Sequence, residues 1–201
     1  MTHTRRTLTF VLGAVYIAVV ALTVSAQQPN DGDGPRYQNG MQLVRPQNYR
    51  EWRFLSSGVG MTYATLGALS VNAPSFGNVF VNASSYQSFM QTGRWPDRTI
   101  FVLETRASAT EGSIVKGGRF QTALGGLEAE VKDARFPDGW TFFNFGPAQQ
   151  MRDVAAPLSG DAVSGCVDCH TKNTAVERTF VQFYPVLLDV ARAKHTLKPG
   201  F

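Results

Sequence analysis

Both cysteines of this 201-residue chain fall within five consecutive residues, Cys166, Val167, Asp168, Cys169 and His170. That placement leaves no wider disulfide framework, so distant parts of the chain must be joined by a packed core. The composition supplies one: 43% of residues are apolar and only 17% are charged. The length fits one domain of ordinary size once an N-terminal segment is set aside.

That segment reads as a secretory signal over residues 1–26. Arg5 and Arg6 make its start positive, residues 8–24 form an uncharged apolar run, and Val24, Ser25 and Ala26 make a small-residue cleavage site. A run of roughly 17 residues is at the short limit for a spanning helix, so the alternative is an uncleaved membrane anchor. With cleavage no stable membrane span is expected, and in either case the domain lies outside the cytoplasm, in the periplasm or exported further. Residues 27–40, rich in Gly, Asn, Asp and Gln, read as a flexible leader, and residues 41–201 as the folded domain. The net charge is +4 and drops to about +2 without Arg5 and Arg6. That balance is too weak to argue for nucleic acid, no basic run alternates with aromatics, and no Gly-rich phosphate loop precedes a helix, so no nucleic-acid partner is expected.

The pattern along the domain is mixed. Residues 52–61, 79–81, 99–106, 120–132 and 140–145 read as strands, with Gly125 and Gly126 marking a bulge or a close backbone approach. Asn82 is a candidate N-cap for a helix over residues 83–91 that stops at Gly93. A short helix is expected to open at Cys166. Residues 176–193 carry apolar side chains at helical spacing, with Pro185 kinking or dividing them. Short polar loops between the later strands favour antiparallel pairing. The expected fold class is α+β: an antiparallel β-sheet packed with helices, with C-terminal helices carrying the cysteine motif.

The chemistry sits in Cys166, Cys169 and His170. Two thiols separated by two residues are spaced to add to the two vinyl groups of a haem, and the adjacent histidine then lies under the iron as axial ligand. Export agrees, because such attachment takes place outside the bacterial cytoplasm. The expected cofactor is therefore one covalent haem c, with His170 as the metal ligand. A thioredoxin-like pair would need a helix start beside a βαβ unit. A disulfide closing so tight a loop would add little stability. A zinc site would need a fourth ligand beyond these three, and outside the signal only His195 and carboxylates are left to provide it.

Further fragments resemble the cytochrome P460 family, which also includes the cytochromes c′-β. They are Asn48, Tyr49, Arg50, Glu51 and Trp52; Ser85 and Tyr86 with Thr92 and Gly93; Gly126, Leu127, Glu128 and Ala129 with Val131, Lys132 and Asp133; Gly139 and Trp140 with Phe142 and Phe143; and the cysteine motif with Phe183, Tyr184, Pro185, Val186 and Leu187. The resemblance spans roughly residues 47–188. It implies a small periplasmic haem protein, usually a homodimer, with an antiparallel sheet and an open distal haem face. In the enzymes of the family a lysine is cross-linked to the haem and hydroxylamine is oxidised; the c′-β members lack the link and bind nitric oxide and carbon monoxide. The family register puts Leu103 at the lysine position, in the distal pocket, and Gly77 at the arginine of some members. Glu128 matches the distal carboxylate. Lys116 lies in a polar loop outside that register.

Three functions follow from these residues. The first is binding of a small gas at an open haem face beside Leu103. The second is oxidation of hydroxylamine or another small nitrogen compound, with Glu128 as the catalytic proton acceptor; Leu103 speaks against it. The third is electron transfer to a redox partner protein, which needs a sixth ligand from Met61, Met90, Met151 or His195. The phenylalanines Phe76, Phe80, Phe142, Phe143, Phe145 and Phe183 are expected in the core, some of them walling the haem pocket.

Overall fold

The computed structural model describes residues 32–61, 73–112, 114 and 117–201. The signal segment, the start of the leader and Lys116 lie outside the described residues. Among the described residues no helix is long and apolar enough to cross a membrane.

Five strands form one antiparallel sheet in the order β3 (Arg53–Val59), β4 (Phe76–Val81), β5 (Thr99–Ala109), β6 (Phe120–Lys132) and β7 (Trp140–Pro147). Sequential neighbours pair throughout, the commonest arrangement for consecutive strands. A small antiparallel sheet joins β1 (Tyr37–Gln38), β2 (Gln42–Val44) and β8 (Val154–Ala155). Among the described residues three α-helices complete the α+β fold: α1 (Ala83–Thr92), α2 (Asp161–Lys172) and α3 (Pro185–Ala193).

Because side chains alternate along a strand, the register divides the main sheet into two faces. On one face Ile100, Val102, Leu127, Ala129, Val131, Phe143 and Phe145 form a core closed by Leu43, Tyr49 and Ala155. On the other, Val81, Phe101 and Trp140 pack against Phe89 of α1 and Leu187 and Ala191 of α3. The helices cover only one end of this second face. Its other end, lined in part by Val79, Leu103 and Glu128, borders a cavity.

The bulge expected at the glycines is present: Thr105 pairs with Gly126 and Arg106 with Leu124, leaving Gly125 as the extra residue. A Cβ on Gly125 would lie 2.9 Å from the Thr105 hydroxyl, and one on Gly126 would lie 3.1 Å from the Gly146 carbonyl. At either position a side chain would force its neighbour to shift. Gly93 ends α1 in the left-handed region at φ 71°, as a C-terminal glycine should.

Four expectations need correction. The stretch from residue 32 to 40 is tied to the domain: Asp33 accepts the backbone N–H of Ser84 at 2.8 Å, Arg98 donates to the Pro35 carbonyl at 2.7 Å, and Tyr37 pairs with Leu43. Folded structure thus begins before Met41. Asn82 stands at the N-cap of α1 but makes no capping side-chain bond; its Oδ1 accepts the Ile100 N–H at 3.0 Å, and Asp33 takes the helix donor. The cysteine motif does not open its helix, which starts at Asp161. The apolar periodicity of residues 176–193 is not one helix either. Val176 and Thr179 close a turn, a 3-10 turn follows at Val181–Phe183, and Pro185 is the first residue of α3, where its missing N–H costs nothing.

Candidate functional site

Cys166, Cys169 and His170 occupy positions i, i+3 and i+4 of α2, so the helical repeat puts all three on one face. That face borders the cavity, of about 960 Å³, whose opposite wall is the uncovered end of the sheet. Phe76, Val79, Phe101, Leu103, Phe142, Leu158, Phe180 and Phe183 line it with apolar surface, and Glu128 and Glu130 add carboxylates. The lining comes from β3, β4, β5, β6, β7, α2 and the C-terminal turns, so no short segment could build it alone.

The imidazole of His170 is held from three directions. Its Nδ1 lies 2.8 Å from the Arg178 carbonyl and 3.1 Å from Oε1 of Glu130. The Phe142 and Phe180 rings meet it edge-on at 4.8 and 4.7 Å. Two acceptors at Nδ1 make that nitrogen the protonated one and leave Nε2 with its lone pair. Burial opposes a charge on His170, but the Glu130 carboxylate and the Arg178 carbonyl outweigh it and raise the imidazole pKa.

Glu130 is one row from Glu128 on the same sheet face: Phe101, Glu130 and Phe142 form one cross-strand row, and Leu103, Glu128 and Asn144 form the next. Burial raises the pKa of both carboxyls. Glu128 keeps solvent contact within the cavity and accepts Asn144 Nδ2 at 3.0 Å. Burial and these two carboxylates raise the Cys166 thiol. A thioredoxin-like nucleophile needs the opposite shift, because the thiolate is its reactive form.

The predicted residues therefore meet at one place: Cys166, Cys169, His170, Leu103 and Glu128 all border the cavity. Gly77 does too, and a Cβ there would meet Leu103 at 3.3 Å. Of the candidate sixth ligands only Met61 reaches the lining. Met90 and Met151 pack against the two cores, and His195 is exposed just beyond α3. Phe80 packs on Tyr49, and Phe145 is wholly buried in the closed core. Glu130 escaped notice in the sequence, although its two-residue spacing from Glu128 places both on one face.

The lining suits a large, flat, mostly apolar group. A volume of about 960 Å³ lies near the upper end of cofactor cavities, roughly 300–1,000 Å³. The walls are largely aromatic and aliphatic, and the titratable groups converge mainly from α2 and β6. The fold and this cavity define a class: a small α+β domain with a cofactor-sized pocket between a sheet and a C-x-x-C-H helix. Over residues 46–181, more than half its length, the chain matches the family described as Cytochrome P460, and it belongs to that family. Membership makes it a haem-binding protein. No curated protein matches the chain.

Proposed function

We propose that this is an exported c-type cytochrome that carries one haem and takes up a small neutral ligand such as nitric oxide or carbon monoxide. One observation carries the proposal: both thiols and His170 line the same apolar cavity as Leu103. Cys166 and Cys169 would hold the haem through two thioethers, and His170 would ligate its iron through Nε2. When bound, the haem supplies an iron with a coordination position open to a small molecule. Leu103 and Val79 give part of the sheet side an apolar surface beside Glu128, and that apolar part suits an uncharged diatomic. Glu128 is the acidic group nearest to Leu103 in register.

Oxidation of hydroxylamine or a similar nitrogen compound is the second reading, and Glu128 favours it. Its carboxyl borders the cavity and its pKa is raised toward the range of a useful proton acceptor. Leucine at position 103 cannot form the cross-link that the family's enzymes carry. Electron transfer is supported less, because among the described methionines only Met61 borders the cavity. Signal cleavage after Ala26, a homodimer and a redox partner protein belong to the same proposal.

Spectroscopy of the exported protein tests it. A five-coordinate ferrous haem that takes up carbon monoxide is expected. A six-coordinate ferrous haem inert to carbon monoxide would replace gas binding by electron transfer, and a strongly red-shifted reduced Soret band would restore the cross-linked enzyme.

A further inference from the structure

The geometry points to Glu130 as a positioning residue that makes His170 a stronger iron ligand, by accepting a hydrogen bond from its Nδ1–H. This rests on the haem reading above and adds to it a residue outside the attachment motif. The Glu130 side chain is 11% exposed. Among the described residues its carboxylate has one hydrogen-bond partner, His170 Nδ1 at 3.1 Å. A carboxylate buried with so few donors is unfavourable for the fold alone. Its place in the sheet is rigid, since Phe101 and Phe142 flank it in register, and Phe142 also meets the His170 ring.

The second acceptor, the Arg178 carbonyl, is anchored independently. The turn that presents it closes between Val176 and Thr179, and Glu177 within it pairs with Lys132 at 2.7 Å. The carbonyl suffices to fix the tautomer. What Glu130 adds is negative charge: an imidazole whose N–H points at a carboxylate pushes more electron density onto its other nitrogen than one bonded to a neutral carbonyl. A more basic Nε2 favours ferric over ferrous iron and strengthens the iron–histidine bond.

Glu130→Gln keeps the length and an acceptor oxygen but removes the charge. The variant should carry the same thioether haem by intact mass. Its reduction potential should rise, by ~59 mV for a tenfold weaker preference for ferric iron. The ferrous iron–histidine stretch in resonance Raman should fall, and Glu130→Asp, which keeps the charge, should recover part of both. Haem in place with both readouts at their wild-type values would overturn the role of Glu130 and leave haem attachment standing. A wild-type chain that weighs only its amino acids would instead overturn the haem reading. The wild type alone gives a second check: its ferrous stretch should lie above that of haem bearing a free imidazole, and an equal value would overturn the inference.

Discussion

The two faces of the five-stranded sheet both hold carboxylates, and they treat them in opposite ways. On the closed face Glu104, 2% exposed, accepts bonds from Tyr49, from Arg50 Nε at 2.8 Å, from Asn78 at 3.2 Å and from Arg106 at 2.5 Å. On the cavity face Glu128 accepts one amide, and Glu130 meets one imidazole. Burial raises the pKa of all three carboxyls. Only at Glu104 do the donors, with Arg106 first, overcome it and bring the value down to about 2. The three residues lie on adjacent strands, so the difference comes from what covers the sheet. Where the layer above is closed, the charge must be fully satisfied inside the protein. Where the sheet borders a cavity, under-satisfied carboxylates remain, available to a group the chain itself does not supply.

The sharpest test of this contrast removes the anchor from the open face. Cys166→Ser combined with Cys169→Ser should abolish covalent haem, giving a mass equal to the amino acids alone and a Soret absorbance at least tenfold lower per chain. Full covalent haem in that variant would break the proposed attachment. On the closed face the corresponding change is Glu104→Gln. It leaves Arg106 facing a neutral amide with its side chain only 25% exposed. Removing one partner of a buried ion pair typically destabilises by about 3–5 kcal/mol, and the exposure of Arg50 and Arg106 puts this case near the lower end. A urea midpoint within error of wild type would show that the cluster contributes nothing.

The same cluster fixes a pH dependence. The carboxyl of Glu104 falls from its ordinary 4.5 to about 2 on folding, so the unfolded chain binds its proton first as pH drops. Stability from this group is complete above about 4.5 and is lost as pH falls from there toward about 2. Urea midpoints followed from pH 6 downward should decline less steeply in Glu104→Gln than in wild type. Parallel curves would remove Glu104 from the account of acid sensitivity.

Why one face was legible and the other was not follows from the range of the interactions. The strand alternation of residues 99–106, 120–132 and 140–145, the stop at Gly93 and the cysteine motif are local patterns, and they survive in the structure. Three of the four donors to Glu104 are not local: Tyr49 is 55 residues away along the chain, Arg50 is 54 and Asn78 is 26. Glu104 and Glu128 look alike in sequence, each a carboxylate in an apolar strand. Parity along one strand cannot tell which face will be sealed until the register between strands is known. Asp33 is a similar case, a polar residue in a polar stretch whose partner, Ser84, lies 51 residues on. The helix read over residues 176–193 failed for a different reason. Apolar spacing persists across two turns of chain, and Pro185 starts the real helix instead of bending a longer one.

The subtlest test compares Glu128 with Glu104 directly, because the two should respond with opposite sign. The carboxyl of Glu128 titrates higher in the folded protein than its ordinary value, through burial. Its charge is therefore slightly unfavourable to folding, and that penalty appears as pH rises through 4.5 and persists above the folded value. Glu128→Gln keeps the shape and an acceptor for Asn144, so it should stabilise the protein at neutral pH by about 0.5 kcal/mol or less, the scale of a solvent-accessible site. Below pH 4 the gain should vanish. Glu104→Gln should show the reverse, with its loss largest at neutral pH. If Glu128→Gln instead destabilised the fold as Glu104→Gln does, the cavity-face carboxylates would belong to the protein's own packing, and the distinction between the two faces would fail.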